Sequence, residues 1–335
     1  MKQLIYTVVI ITLLTSCFKD DEMVPKHDPG DVIVDTIAMT QYYNYQLYYN
    51  LNDSNVVSSN EREIFDINFE CVDTSTVIRL NTANFALIAE TDFKTFEQVN
   101  DTVGLEWHFD KSDGDVDSLA INNWINIDGS DTTYSDRVWV LDRGLSPLGI
   151  ALGLKKVKFT KFENNTFFFS FCNMDNSDLH EVYVSKDPDY EYVQYSLSNG
   201  GEKIQTEPMK NTWDLLFTQY TTLLYTNEGQ AYPYIVNGVL QSKGTKIAID
   251  STMNFEDIVL SDTLGLEFSK KYDVIGYDWK RIEGDVETGN YQYVARTEWN
   301  YIIRDNNSFY YKLRFIGFYN KVGVKGYPSF EYARL

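Results

Sequence analysis

Histidine and cysteine are scarce in this chain, with three of each among 335 residues. That argues against a metal enzyme rich in imidazole ligands, since such sites draw several donors together. Basic residues are also few: 29 Lys and Arg stand against 49 Asp and Glu, a formal charge of −20. Binding nucleic acid, or a charged membrane surface, needs clustered Lys and Arg. Neither partner fits this balance, and no nucleic acid is expected. Stretches with helical apolar spacing are rare. No Gly-X-Ser-X-Gly, phosphate loop or His-Glu-X-X-His occurs, so the chain reads as a non-enzyme. Aromatics are plentiful: 25 Tyr, 20 Phe and 6 Trp. Such a load of large apolar groups excludes disorder, and the length suffices for about two domains.

The N-terminus reads as an address. Lys2 precedes an apolar run from Leu4 to Leu14, too short to span a bilayer as a helix, which takes roughly 20 residues. It has the form of a secretory signal. Leu14-Thr15-Ser16-Cys17 follows and resembles a bacterial lipobox, in which the Cys thiol receives a diacylglyceryl group and becomes the mature N-terminus. Acyl chains then anchor the protein by burying about 0.8 kcal/mol per CH₂. Phe18-Lys19-Asp20-Asp21-Glu22 resembles the surface-export signal of Bacteroidota lipoproteins. These resemblances imply lipidation at Cys17 after a signal peptide of residues 1–17, and an outer-membrane, cell-surface location. Residues 18–40, with Pro25, Pro29 and Gly30, read as a tether.

The remainder reads as strands. In Tyr311-Lys312-Leu313-Arg314-Phe315 the apolar side chains share one face and the cations the other, the period of a half-buried strand. Val138 to Leu141, Val157 to Phe159 and Tyr291 to Val294 are similarly β-branched and aromatic. Turn signals fall at Asp128-Gly129, Asn199-Gly200-Gly201, Asn237-Gly238 and Asp305-Asn306-Asn307. A short helix is expected around Asn254 to Val259. The fold class is mainly β with minor helix.

The chain also repeats itself. Tyr49-Asn50-Leu51 matches Tyr195-Ser196-Leu197, and Phe65-Asp66-Ile67-Asn68-Phe69 matches Trp213-Asp214-Leu215-Leu216-Phe217. Asp101-Thr102-Val103-Gly104-Leu105-Glu106-Trp107 matches Asp262-Thr263-Leu264-Gly265-Leu266-Glu267-Phe268. Lys156-Val157-Lys158-Phe159 matches Lys312-Leu313-Arg314-Phe315, and Ser170-Phe171 matches Ser329-Phe330. All five keep their order, and small loop insertions account for the drift in offset. Two tandem β-domains are expected, residues 41–182 and 183–335, with Asp187-Pro188-Asp189 near the junction.

The second copy carries Tyr195-Ser196-Leu197 before a Gly turn, then Trp213-Asp214-Leu215-Leu216-Phe217, Trp299 to Arg304, and Phe309 to Phe315. In these it resembles the HmuY family of Bacteroidota lipoproteins. The first copy resembles it by way of the repeat and has Phe65 where the Trp should be. The resemblance implies two tandem HmuY-like all-β domains, haem as cofactor, and an outer-membrane receptor as partner. Family members grip haem with paired His or paired Met.

This chain supplies such ligands poorly. Residues 190–335 contain no His; their Met residues are Met209 and Met253. The first copy offers His108, at the end of the Asp-Thr-Val-Gly-Leu-Glu strand, and His180 in a polar, solvated stretch; His27 lies in the tether. By elimination, His108 and Met253 are the haem-ligand candidates. Met253 also suits a core position, since Met fills irregular gaps. The alternative is a surface structural, adhesive or glycan-binding lipoprotein that has lost haem ligation, with Trp279 and Trp299 as sugar platforms or, equally, core residues. Cys71 and Cys172 read as separate thiols or as a disulfide. The Asp113-Gly114-Asp115-Val116-Asp117 run lacks the closing Glu of a calcium loop, with Trp124 in its place. Asp101-Thr102-Val103, Asp117-Ser118-Leu119 and Asp262-Thr263-Leu264 resemble, weakly, Bacteroidota O-glycosylation sites.

Overall fold

The computed structural model describes residues 30–335; the signal, the lipobox and Cys17 lie outside them. Strands joined by turns make up the described residues, and the helical content is five short 3-10 turns. One of these, Phe255–Asp257, stands where the short helix was expected.

Four antiparallel sheets form two sandwiches. In the first, an outer sheet runs His180–Ser185, Thr166–Asn173, Leu154–Glu163, Trp139–Asp142 and Leu87–Glu90. It covers an inner sheet of Glu202–Ile204, Tyr192–Ser196, Ile67–Glu70 and Ile78–Leu80. The second sandwich has an outer sheet of Ile33–Thr36, Lys325–Arg334, Tyr310–Tyr319, Asn300–Arg304 and Lys246–Asp250. Its inner sheet is Ala231–Gln241, Leu215–Tyr225, Tyr45–Asn50 and Asn55–Glu61. Alternation decides which side chains face each core. Ile67 and Phe69 enter the first core; Leu215 and Phe217 enter the second. Asn68, Leu216 and Thr218 point the other way, into the space between the two inner sheets.

The two sandwiches exchange strands. Tyr192–Ser196, from the second sequence copy, pairs with Ile67–Glu70 of the first. Tyr45–Asn50, from the first copy, pairs with Leu215–Tyr225 of the second. Ile33–Thr36, inside the stretch read as tether, is an edge strand on Lys325–Arg334, and Ile37 and Met39 behind it are fully buried in the second core. Each core is therefore completed by the opening strands of the other copy. The hydrogen bonding at both exchanges is the same. Asp66 N donates to Tyr195 O (2.9 Å), and Leu197 N donates back to Asp66 Oδ2 (2.6 Å). Asp214 N donates to Tyr49 O (2.9 Å), and Leu51 N donates to Asp214 Oδ2 (2.9 Å). These are the repeat positions read from the sequence.

Other equivalent residues also share roles. Lys156 Nζ donates to Phe96 O (2.7 Å) and Val99 O (3.1 Å), closing the 3-10 turn Phe96–Gln98. Lys312 Nζ does the same at Phe255–Asp257, through Phe255 O (2.8 Å) and Ile258 O (3.0 Å). A buried ammonium is tolerable here because several carbonyls receive it. His108 and its counterpart Ser269 make matching bridges, to Ile88 and Ile247. The copies differ behind the exchanged Asp. Arg143 Nε donates to Asp66 Oδ1 (2.8 Å) in the first sandwich. In the second, Asp214 has Asp305 as a neighbour, and burial pushes its carboxyl up to about 6, with Asp305 adding to the rise.

Several local expectations are revised. Asn237-Gly238 is not a turn; it lies within Ala231–Gln241. A Cβ at Gly238 would stand 2.3 Å from Gly276 O, so the glycine serves a close backbone approach at the Val239–Gly276 bridge. The Asp101 to Trp107 segment is an exposed loop, not a strand. His180 is half-buried, stacked on Phe171 at 5.1 Å with Nε2 2.7 Å from Asp178. Cys71 and Cys172 are separate buried thiols. Trp279 is fully buried and stacked on Phe315 at 4.2 Å, which removes it as a sugar platform.

Candidate functional site

A cleft of about 510 Å³ opens where the two sandwiches meet. One wall comes from the second sandwich: Tyr42 and Tyr43 on the turn before Tyr45–Asn50, and Pro233 to Ile235 on Ala231–Gln241. The other comes from the loop Leu145 to Gly149 and from Phe85 of the first. The Tyr42-Tyr43 turn is tightly held. Thr40 and Tyr43 both take positive φ (70° and 53°), and Thr40 Oγ1 donates to Asn44 Oδ1 (2.7 Å). Gly326 (φ +93°) presses against the turn so closely that a Cβ there would stand 2.1 Å from Thr40 O.

Tyrosines extend this surface. Tyr43 stacks on Phe318 at 6.2 Å, and Lys325 Nζ lies 5.7 Å from the Tyr43 ring centroid. Burial raises the Tyr43 hydroxyl pKa strongly, and the neighbouring Tyr293, Tyr319, Tyr291 and Tyr234 add to it. Tyr293 N donates to Tyr319 Oη (2.8 Å), and Tyr232 packs edge-on against Tyr234 at 6.2 Å. Tyr42 and Tyr234 remain exposed at the cleft. Arg62 is buried at the inner end; its Nη1 donates to Ala83 O (2.5 Å) and Asn84 Oδ1 (3.0 Å), and its Nε has no partner.

Aromatic walls with cations at the edge suit a flat, apolar ligand carrying anionic groups. Phenol oxygens are the donors that can reach a metal there, a ligation known for haem iron. The cleft lining contains no His or Met. His108 is elsewhere, in a pocket of about 340 Å³ lined by Trp107 and Phe109 of the first sandwich and Leu223 of the second. Its ring is half exposed, 4.0 Å from Glu106. Met253 packs in an apolar cluster with Ala248, Ile258, Ile302 and Leu335. The two candidates sit on different sandwiches and are not brought together. Tyr42, Tyr43 and Tyr234 were missed in the sequence because nothing separates them from the other tyrosines; the doublet before Tyr45–Asn50 is the nearest thing to a signal.

Residues 188–332 match the family model described as HmuY protein, so the resemblance in the second copy is a family relationship over that segment. The segment spans both sandwiches, since Tyr192–Ser196 belongs to the first. No curated protein matches the chain. Among solved structures, the apo HmuY analogue of Tannerella forsythia is 10% identical, with 92% of this chain and 98% of that one covered and a TM-score of 0.26. Apo PinO from Porphyromonas gingivitis is 14% identical, with 53% and 95% covered and a TM-score of 0.19. Scores this low carry no residue-level correspondence.

Proposed function

We propose that this protein is a lipid-anchored, cell-surface carrier that takes haem, or a related flat carboxylated ligand, in the tyrosine-lined cleft. The observation that carries the reading is the cleft itself: aromatic walls with Lys325 at the margin and Arg62 buried at the inner end, adjoining the part of the chain with the HmuY family sequence. The residues fit the group by donor chemistry. Tyr42 or Tyr234 would supply an oxygen to the iron, and Lys325 would face a propionate. Bound haem would supply a redox-active iron as cargo, and the protein's own part is to wall it from water. Anchorage is proposed through Cys17 to the outer membrane, with an outer-membrane receptor as the expected partner. The tandem copies 41–182 and 183–335 are proposed as a duplication, supported by the matched roles of Asp66 with Asp214 and Lys156 with Lys312.

A second reading keeps His108 as ligand, because its ring is accessible beside Trp107 and Leu223. Met253 would have to leave its apolar cluster to serve. Haemin titration decides among them. A Soret shift lost in Tyr42→Phe with Tyr234→Phe, but kept in His108→Ala and Met253→Ala, supports the cleft. The reverse pattern supports His108 or Met253. No shift in wild type sinks haem binding and leaves a structural, adhesive or glycan-binding surface protein.

A further inference from the structure

A second, separate space lies deeper between the two inner sheets. It has a volume of about 140 Å³, close to the ~150 Å³ of an engineered apolar cavity that takes benzene. Its walls mix Tyr48, Phe65, Trp213 and Leu240 with amides and charged groups. Tyr48 and Trp213 meet edge to face at 5.0 Å. Phe65 and Trp213, equivalent in the repeat, face this one space from opposite sandwiches.

Most charged groups around it are satisfied. Asp110 accepts from Leu80 N (2.7 Å) and Ala120 N (2.8 Å). Lys243 is paired with Glu70 at 2.7 Å, and Arg79 Nη2 donates to Gly114 O (2.8 Å). Four buried groups are not: Arg79 Nε, the Tyr192 hydroxyl, and two acceptors. Glu207, 6% exposed, has no partner for Oε1; Gln241, 3% exposed, uses its Nε2 on Thr245 O (2.7 Å) and leaves Oε1 bare. An orphaned buried acceptor forfeits its hydration without a replacement bond, so two in one ring-sized space point to an occupant that donates hydrogen bonds. Burial, with Glu191 adding, holds the Glu207 carboxyl above its usual range, which disfavours an anionic guest beside it. Aromatic and aliphatic walls favour a ring with a C–H face.

We propose that this inter-sheet cavity is a binding site for a small neutral polyol of about one sugar ring, whose hydroxyls donate to Glu207 and Gln241. The site shares only Gln219 with the lining of the tyrosine cleft. Both strands that reach across to complete the other sandwich border it, through Gln46 with Tyr48 and through Tyr192 with Gln194, so its occupant would tie the two together.

The test is saturation-transfer NMR and calorimetry on the folded protein with xylose, glucose and myo-inositol. At least one should bind with millimolar affinity. Gln241→Leu and Glu207→Leu should each weaken it by about tenfold, the loss of one good hydrogen bond in a buried site. Glu207→Gln should retain binding, and its urea midpoint shows whether the fold is intact. Haemin binding should be unchanged in all three. No polyol binding together with ordered water alone in the cavity overturns the proposal. So does binding insensitive to both Leu variants, or preference for methylammonium over the polyols.

Discussion

The exchanged strands make a strong prediction about cutting the chain between its two sequence copies. A protease site placed at Pro188-Asp189, an exposed turn, divides the protein into pieces ending and beginning near residue 188. If each copy folded on its own, the pieces would drift apart. In this fold they cannot without breaking both cores. The first piece carries Ile37, Met39, Leu47, Tyr49 and Leu51, all buried in the second core. The second piece carries Val193, Tyr195 and Leu197, buried in the first. Eight large side chains at roughly 1.5–3 kcal/mol each amount to roughly 12–24 kcal/mol. Separation would also uncover Phe65, Tyr48 and Trp213 between the inner sheets, which helps offset an association cost of about 4–15 kcal/mol. A micromolar complex needs only about 8 kcal/mol. The nicked protein should therefore elute from gel filtration at the size of the intact chain and part only in denaturant. Two peaks under native conditions would refute the exchange. As a complement, residues 55–207 alone contain every strand of the first sandwich and should fold, whereas residues 183–335 alone should not.

Three further outcomes follow from the interior polar groups. Arg143→Leu leaves Asp66 buried with its charge unpaired and should cost about 3–5 kcal/mol in urea unfolding; a loss below 1 kcal/mol counts against that pairing. Lys312→Ala strands Phe255 O and Ile258 O and should cost about 2–4 kcal/mol, with hydrogen exchange rising first around Phe255–Asp257. Asp214 is raised from 3.8 to about 6 by burial, so the folded state holds this proton more tightly than the unfolded one. Its contribution therefore increases stability as pH falls from 6 toward 4, by up to about 3 kcal/mol. Asp214→Asn should remove that part of the slope, and identical pH profiles for the two proteins would exclude it.

How far the sequence could go is clear from particular residues. Period-2 alternation in Tyr311 to Phe315 correctly assigned Leu313 and Phe315 to a core, because side-chain direction along a strand is a local property. The Asp-Thr-X-Gly-Leu-Glu match marked equivalent positions, yet neither is a strand: the first is a loop and the second leaves the 3-10 turn Leu260–Thr263, with Val103 and Leu264 among the most exposed apolar residues. Equivalence is legible in a repeat; conformation at each site is not. Gly238 reads as a turn residue until Gly276 is placed against it, and that contact is long-range. The cleft was illegible for the same reason. Its lining draws on both sequence copies, with Tyr42, Tyr43, Phe85 and Leu145 from the first and Pro233, Tyr234 and Lys325 from the second, and tyrosine carries no spacing rule for ligand contact as His and Cys do for zinc.

Strand exchange was hidden by the repeat itself. Tyr49-Asn50-Leu51 and Tyr195-Ser196-Leu197 are near-synonyms, and the Asp that receives each is Asp66 or Asp214 with the same pair of hydrogen bonds. Either strand satisfies either sandwich by local rules, so pattern alone cannot choose a partner. The choice lies in what differs between the copies. Asp66 is matched to Arg143, whereas Asp214 has Asp305 beside it. Arg143 Nη2 also reaches Ser198 Oγ (2.5 Å), just past the incoming Tyr195 strand, where the first copy has Asn52 after Leu51. That contact favours the second copy's strand in the first sandwich, and the first copy's strand is left to complete the second. Ser198→Ala should then loosen the exchange at its first-sandwich end alone: amide exchange should speed up across Tyr192–Ser196 and stay unchanged across Tyr45–Asn50. Equal acceleration at both strands would mean that this contact does not select the partner.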